Sequence, residues 1–229
     1  GHTIETPVPS LFTFNMPGNP ITELMGVSVP EAQVKISGTK ISATGPLLIT
    51  HWGMSGPAIL KLSAWGARIL ETLDYTFTIV VNWLMYKNHQ EVLEDLLQLK
   101  LKNPKQTIAK YPQFDVPKRL WQSIVKTSGI STTEIWADIS KNKLQNLAQQ
   151  LTQSYFEVSG KSTFKEEFVT AGGIKLEEIN PLTMESKKIA GMFVAGEVMN
   201  VDGITGGYNF QHAWSSGWIA AKSIASKTT

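Results

Sequence analysis

Short apolar runs separated by turn-forming residues occupy residues 4–50, a pattern typical of a β-rich region. The runs are Leu11–Phe14, Val27–Val29, Val34–Ile36, Ile41–Ser42 and Leu47–Thr50. Gly38 lies in a polar stretch between two of these runs, so we predict a hairpin there. Apolar and polar side chains alternate again from Thr76 to Leu84, which predicts another strand.

Helical spacing of apolar residues first occurs at residues 57–71. Ser55 is the predicted N-cap of this helix, and Pro57 lies in the first turn, where a missing N–H costs nothing. Residues 88–153 also have helical periodicity. The segments predicted there and beyond are a stripe over Val92–Leu101, a helix over 118–127, a helix around Leu144–Leu151, and strands at Tyr155–Ser159 and Phe168–Thr170.

The carboxy-terminal residues carry the most informative pattern. The apolar run Met192–Ala195 predicts a strand that stops at Gly196 and Glu197, and a glycine-rich loop leads to a helix opened by Gly206 and Gly207. The positions that predict the packed face of this helix are Phe210, Ala213, Trp214, Gly217, Ala221 and Ile224. Such a unit presents free backbone N–H groups and a positive helix end to a ligand. That arrangement suits a flavin, an electron-poor ring linked to a polyol.

The same residues resemble the carboxy-terminal flavin motif of the HI0933/YhiN-like (BaiN-like) flavoprotein family. The motif is GEVMNVDGITGGYNFQHAWSSGWIAA, from Gly196 to Ala221. Residues 1–11, 45–60 and 169–187 resemble the family segments GHxIxxPxPxL, GxxLxTHxGxSGPAxL and VTxGGVxxxEIxPxTMESK. Asn200 departs from the family, which usually has Asp there, and this weakens any role that needs a charge at that position.

The resemblance implies an α/β fold that carries FAD in a Rossmann-type domain with a β-barrel-like and helical insertion. We therefore expect residues 1–15 to be an edge segment of the flavin domain, 16–154 the insertion (β-rich 16–84, helical 85–154), and 155–229 the carboxy-terminal half of the flavin domain. The GxGxxG motif that holds the FAD pyrophosphate in such domains is missing from these 229 residues. The chain is thus expected to be part of a longer protein and to bind FAD poorly alone. A missing amino-terminal flavin half, a complementing chain or a homodimer would cover its exposed faces.

Two glycine-rich groups are the candidate cofactor contacts. They comprise Gly172 and Gly173 after the predicted strand Phe168–Thr170, and Gly196, Glu197, Asp202, Gly203, Thr205, Gly206, Gly207, Tyr208 and Asn209 in the terminal motif. By the resemblance, Glu197 bonds the ribityl hydroxyls and the N–H groups near Gly206 face the pyrimidine edge of the ring. Asp202 either binds the ribityl or phosphate side through water or caps the Gly203 turn. Without the resemblance, a glycine-rich turn with capping residues would be the better explanation of the terminal group, and a β-bulge or tight turn would explain Gly172 and Gly173 equally well.

His51, in a glycine-rich loop, is the candidate for proton transfer, although a structural role is the alternative. Ser55 superficially suggests a hydrolase nucleophile, but its flanking glycines do not match G-x-S-x-G. The histidines at 2, 51, 89 and 212 have no ligand spacing, so we predict no metal site.

Composition narrows the remaining classes. The net charge of +2 does not suggest nucleic acid, and the absence of an apolar run of about eighteen residues argues against a membrane span. Zero cysteines exclude disulfides and fit a cytoplasmic protein. The leading hypothesis is part of an FAD-dependent oxidoreductase that acts on a small organic molecule, with NAD(P)H as the expected electron donor. The alternative is a non-catalytic ligand-binding or protein-interaction module.

Overall fold

The computed structural model describes residues 1–161 and 169–227. Its strands are β1 (Ile4–Ser10), β2 (Phe14–Asn15), β3 (Ser28–Ile36), β4 (Ser42–Ile49), β5 (Gly53–Ser55), β6 (Thr76–Asn82), β7 (Ser154–Ser159) and β8 (Val169–Ile174). Its α-helices are α1 (Pro57–Thr72), α2 (His89–Lys102), α3 (Lys118–Thr127), α4 (Lys141–Thr152) and α5 (Tyr208–Lys227).

These elements form two compact units. The barrel unit comprises residues 13–62 and 75–161, and the terminal unit comprises residues 1–12, 63–74 and 169–227. The first six residues of α1 belong to the barrel unit and the rest to the terminal unit. Strand β7 pairs with β6, so the barrel sheet continues past residue 154, where the sequence had placed the end of the insertion.

The barrel unit is built on an antiparallel sheet in the order β2-β5-β4-β3-β6-β7. Its two outer strands nearly meet, because Phe14 forms a bridge with Lys161 and the N–H of Asn15 donates to the carbonyl of Gly160 at 3.1 Å. Inside, the rings of Phe14 and Phe77 pack edge to face with centroids 5.1 Å apart. The sheet is therefore a nearly closed barrel, as the predicted β-barrel-like insertion requires.

Local sequence signals account for much of this unit. The predicted hairpin at Gly38 is confirmed by the antiparallel pairing of β3 with β4. The predicted helix over 118–127 is α3, and a capping box between Asn88 and Glu91 starts α2. Trp121 and Trp136 are fully buried between the helices, since apolar stripes on neighbouring helices must cover one another.

One predicted cap is wrong. Ser55 is not the N-cap of α1 but the buried last residue of β5, and the carbonyl of Gly56 accepts the first helical hydrogen bond, from Leu60. Backbone crowding explains the difference, since a Cβ at Gly56 would lie 2.9 Å from the carbonyl oxygen of Pro46. A glycine is needed at the helix start, and Ser55 is displaced into the sheet.

The terminal unit contains the two-stranded antiparallel sheet of β1 and β8. The ring of His2 lies between two partners from distant sequence, with Nδ1 2.9 Å from Glu178 and Nε2 3.0 Å from the Ser186 hydroxyl. Hydrogen bonds from Lys188 and Thr3 hold the pKa of Glu178 well below its usual range. Two of the family-like segments, residues 1–11 and 169–187, are joined by this cluster.

Two predictions for the terminal unit are wrong. Among the described residues Met192–Ala195 forms no strand, and Phe193 makes an isolated bridge with Glu185. The large side chains of the predicted packed face of α5 are exposed: Phe210, Trp214 and Ile224 are 69%, 67% and 47% exposed. The neighbouring Trp218 is 64% exposed. The buried positions of α5 are Ser216 and Ala220, and Ala220 belongs to a core cluster that includes Val194 and Met199.

The helices of the described ranges include none long and apolar enough to cross a membrane. Within the same ranges, His, Asp and Glu residues form no group of three or more that could hold a metal ion. The part of the predicted strand Phe168–Thr170 that falls on Phe168 lies outside the described residues, and β8 begins at Val169.

We predict that Gly53→Ala destabilises the barrel by about 3 kcal/mol or more. A Cβ at Gly53 would overlap the carbonyl oxygen of Phe14, on the paired strand β2, and would lie 3.0 Å from the backbone nitrogen of Met16, just after that strand. Gly38→Ala is the control, since Gly38 also has a positive φ but its Cβ would meet open space; it should cost only about 1 kcal/mol. Chemical denaturation measures both, and equal losses would contradict the close approach at Gly53.

Candidate functional site

A pocket of about 460 Å³ lies at the amino-terminal end of α5, within the terminal unit. Its wall is formed by the loop that precedes the helix and by the first turns of the helix itself. The lining residues from the predicted flavin motif are Glu197, Thr205, Gly206, Gly207 and Asn209. Leu11 and Val169 add apolar surface. Five predicted contacts are therefore brought together around one concave site.

The end of α5 supplies unpaired backbone donors to this pocket. The first helical hydrogen bond runs from the N–H of Gln211 to the carbonyl of Gly207 at 2.9 Å, so the N–H groups of Tyr208, Asn209 and Phe210 have no partner in the helix ladder. None of the residues in the first turn is acidic, so the positive end of a 20-residue helix is not offset locally. Gly206 and Gly207 have φ values of +121° and +82°, which a residue with a Cβ rarely adopts.

A reciprocal pair of hydrogen bonds fixes the loop against the helix. The side-chain Oδ1 of Asn209 accepts from the N–H of Gly203 at 2.7 Å, and its Nδ2 donates to the carbonyl of Gly203 at 3.0 Å. A Cβ at Gly203 would lie 2.8 Å from the Cβ of Tyr208. Asn209 and Gly203, both predicted as ligand contacts, thus hold the loop in shape, and Tyr208 lies over that loop with 60% of its surface exposed.

Glu197 joins this pocket to strand β8. Its Oε1 accepts a hydrogen bond from the N–H of Thr170 at 2.9 Å, while the residue as a whole remains exposed. The preceding residue, Gly196, has a φ of +77° and donates its N–H to the hydroxyl of Ser216 on α5 at 3.0 Å. The carboxylate of Glu197 is therefore held at the rim of the pocket, where its second oxygen can accept hydrogen bonds from hydroxyl groups of a ligand.

Asp202 faces away from the pocket and toward the first strand. Its Oδ2 accepts from the hydroxyl of Ser10 at 3.2 Å. Burial raises the pKa of the Asp202 carboxyl above its usual range, and the Ser10 hydroxyl and the Arg68 guanidinium offset only part of this shift. The structure does not place Asp202 among the residues that line the pocket.

Gly172 and Gly173 are explained by close packing of backbone. A Cβ at Gly172 would lie 2.7 Å from the carbonyl oxygen of Thr6, where the pairing of β1 with β8 has a register shift. A Cβ at Gly173 would overlap the carbonyl oxygen of Val198. Neither glycine lines the pocket; both allow neighbouring segments to come close to β8.

His212 is a pocket residue that sequence reasoning did not select. It lies one turn into α5, and its Nε2 is buried without a hydrogen-bond partner among the residues that the structure describes. A buried nitrogen that lacks a partner is costly unless a ligand or water satisfies it. Its position three residues after the pocket residue Asn209 is the available signal, because that spacing returns a side chain to the same face of the helix.

The remaining candidates belong to the barrel unit. His51 is exposed between β4 and β5, and its role in proton transfer remains a prediction. Ser55 is only 6% exposed, which does not suit a nucleophile that a substrate must reach. The glycines around it have structural explanations in the packing of β5.

Comparison with known proteins identifies the family. A family model described as the HI0933-like protein barrel and H2TH domain matches residues 8–169, well over half of the chain. The chain belongs to this family. The barrel named in that description corresponds to the nearly closed sheet of β2 to β7. The resemblance inferred from the four sequence segments is confirmed.

Three curated relatives extend the comparison. A ribosomal RNA dihydrouridine synthase from Haemophilus influenzae is 34% identical over 93% of this chain and 50% of its own length. The protein of the same name from Escherichia coli is 31% identical over 90% of this chain and 48% of its own length. A 3-dehydro-bile acid delta(4,6)-reductase from Clostridium scindens is 26% identical over 99% of this chain and 56% of its own length. The chain spans about half the length of the curated relatives it matches.

We predict that Asp202→Asn raises the melting temperature at pH 7. Because the folded-state pKa of Asp202 is raised, its contribution to stability is fully present below the unfolded pKa and is lost as the pH rises through the folded value. The gain should therefore shrink as the pH is lowered toward about 4, near the ordinary carboxyl pKa. Thermal unfolding across this range measures the gain.

Ser10→Ala is the companion variant, because it removes the hydrogen bond that partly offsets the desolvation of Asp202. It should lower the melting temperature at pH 7. If Asp202→Asn lowers the melting temperature at pH 7, the charge is required for folding and the assignment of Asp202 as a desolvated, unfavourable carboxylate is wrong.

Proposed function

We propose that the chain is the barrel and carboxy-terminal flavin-binding part of an FAD-dependent reductase that acts on a C=C bond conjugated to a carbonyl group. The names of the three relatives support this reaction class. Dihydrouridine differs from uridine by two hydrogens on the C=C bond next to a carbonyl, and a delta(4,6)-reductase of a 3-oxo steroid removes conjugated C=C bonds. Each reaction adds one hydride and one proton across an electron-poor double bond.

The pocket at the end of α5 is the observation that carries the proposal. It combines unpaired N–H groups at a positive helix end with an exposed carboxylate and a buried, unpartnered His212 nitrogen. These groups match the carbonyl-rich edge, the polyol and a ring nitrogen or oxygen of a flavin. When bound in its reduced form, FAD would provide the hydride that one carbon of the C=C bond receives, and a proton would complete the other carbon. NAD(P)H is the proposed donor that returns the oxidised FAD to its reduced form.

The residues of the chain would act through position and charge. The N–H groups of Tyr208 to Phe210 would donate hydrogen bonds to the pyrimidine edge and stabilise the negative charge that a reduced ring carries there. This would raise the reduction potential of the cofactor. Glu197 would hold ribityl hydroxyls with its second oxygen. Nε2 of His212 would form a hydrogen bond with the ring and so hold the ring at the amino-terminal end of α5.

Ribosomal RNA is the substrate class that we propose first. The whole-chain charge of +2 argued against nucleic acid, but the charge is unevenly divided between the two units. The sequence of the barrel unit contains 14 lysine and arginine residues against 9 acidic residues. An excess of basic residues in one unit favours a polyanionic substrate over a neutral ring system.

The exposed apolar stripe of α5 supports the proposal that another segment completes the flavin domain. Phe210, Trp214 and Trp218 form a row of large side chains of the kind that a neighbouring layer normally covers. The part of the relatives that the chain does not match could supply that layer, as could a complementing chain.

We predict that the complete protein binds FAD and that NADH or NADPH bleaches its absorbance near 450 nm under anaerobic conditions. Addition of uridine-containing ribosomal RNA should restore the oxidised spectrum as the C=C bond is reduced, with a matched RNA that contains dihydrouridine as the control. A bound flavin that no pyridine nucleotide reduces would contradict this function and favour a non-catalytic binding module. If RNA does not reoxidise the flavin but a 3-oxo steroid with conjugated C=C bonds does, the substrate would be a steroid and not RNA.

We predict that Tyr208→Glu lowers the reduction potential of the bound flavin relative to Tyr208→Gln. Tyr208 is the first residue of α5, so a carboxylate there would offset the positive helix end. Both variants lose the ring that covers Gly203 and Gly206, and the comparison therefore isolates charge. Redox titration gives both potentials. Identical values would show that the cofactor does not feel the end of α5.

A further inference from the structure

A second cavity, of about 700 Å³, lies on the barrel unit. Its floor is the outward face of β3, β6 and β7, and its walls are the segment between β6 and α2 together with the end of α4. We call it the sheet groove. It belongs to a different unit from the pocket at α5, and none of its lining residues is used by the proposed flavin chemistry.

Strand register aligns three lining residues across its floor. Lys35 on β3 is opposite Val80 on β6, and Val80 is opposite Tyr155 on β7. Adjacent strands are about 4.8 Å apart, so the backbones of Lys35 and Tyr155 are separated by about 10 Å. A cation and an aromatic ring at this separation can contact a phosphate and a base of the same nucleotide.

Two exposed tyrosines give the sheet groove its aromatic surface. Tyr86 is 75% exposed and Tyr155 is 59% exposed, although both line the same concave region. Asn82 holds the segment that carries Tyr86: its Nδ2 donates to the carbonyl of Lys87 at 3.0 Å and its Oδ1 accepts from the N–H of Leu84 at 2.9 Å. The two hydrogen bonds of Asn82 therefore fix the turn from which the side chain of Tyr86 extends.

The polar lining includes a nitrogen that lacks a partner. Nδ1 of His89, at the first turn of α2, is buried without a hydrogen-bond partner among the described residues. The acidic groups nearby are already engaged, since Glu91 accepts from the N–H of Asn88 and Glu157 accepts from the hydroxyl of Thr78. Lys87 is paired with Asp95, which leaves Lys35 as the cation on the floor of the groove.

We propose that the sheet groove binds an unpaired stretch of RNA, with bases stacked on Tyr86 and Tyr155 and a phosphate beside Lys35. Aromatic rings on an open sheet accept bases of any sequence, and the excess of basic over acidic residues in the barrel unit attracts the backbone. Nδ1 of His89 then finds a partner on a base edge or sugar. This inference rests on the proposed function only in its choice of RNA as the polyanion.

Fluorescence anisotropy with the complete protein and a labelled 12-nucleotide single-stranded RNA of mixed sequence tests the groove. Tyr86→Ala and Tyr155→Ala should each weaken binding by at least about fivefold, the range expected for loss of one stacked base. Tyr86→Phe and Tyr155→Phe should retain affinity, because a phenyl ring still stacks. Lys35→Gln should reduce the dependence of log Kd on log salt concentration by about one unit.

Tyr111→Ala is the matched control, since Tyr111 is an exposed tyrosine of the same unit that lies outside the groove; it should bind like the natural protein. Unchanged affinity in both alanine variants, or equal loss in Tyr111→Ala, would overturn the proposal, as would equal binding of a duplex of the same sequence. The flavin spectrum and its bleaching by NAD(P)H are recorded for each variant and should not change. If RNA binding depends on the two tyrosines but the RNA is not reduced, RNA binding by the sheet groove would be supported and the proposed reaction would be rejected.

Discussion

The pair of hydrogen bonds between Asn209 and Gly203 is the constraint on which the candidate site depends. One amide side chain satisfies both backbone groups of a residue six positions earlier, and this ties the glycine-rich loop to the first turn of α5. The loop therefore cannot fold over the helix end, and the N–H groups there remain available. A ligand that binds them meets a pre-organised site and does not have to order the loop first.

Two physical kinds of glycine can be distinguished among the described residues. Gly53, Gly172 and Gly173 are required because another backbone segment occupies the space of a Cβ, so they report on packing. Gly207 also has a positive φ, but a Cβ there would meet open space. Only this second kind leaves room for a ligand near the main chain. Sequence pattern alone treats the two kinds alike, and for that reason it groups Gly172 and Gly173 with residues that line the pocket.

Local signals predicted much of the fold, and tertiary contacts decided the rest. The hairpin at Gly38 and helix α3 follow from turn chemistry and apolar spacing within a few residues. The apolar run Met192–Ala195 was wrongly predicted as a strand, because a strand needs a neighbouring segment that pairs with it along its length, and the sequence of the run does not show whether one is present. His212 was missed since a polar residue on an amphipathic helix ordinarily faces solvent, and only the structure shows its nitrogen buried in the pocket wall. The exposure of the large apolar side chains of α5, from Phe210 onward, could not be predicted either. Helical periodicity shows that these residues share one face, but it does not show what packs against that face.

The proposed function divides two roles between the units: the basic barrel unit would bind a polyanionic substrate, and the pocket rich in backbone donors would bind the redox ring. A crystal structure of the complete protein with its flavin is the most direct test of the central claim. The account predicts the pyrimidine edge of the ring within hydrogen-bond distance of the N–H groups of Tyr208 to Phe210, with Nε2 of His212 bonded to the ring. A flavin bound elsewhere, with the pocket at α5 filled by protein side chains, would contradict it.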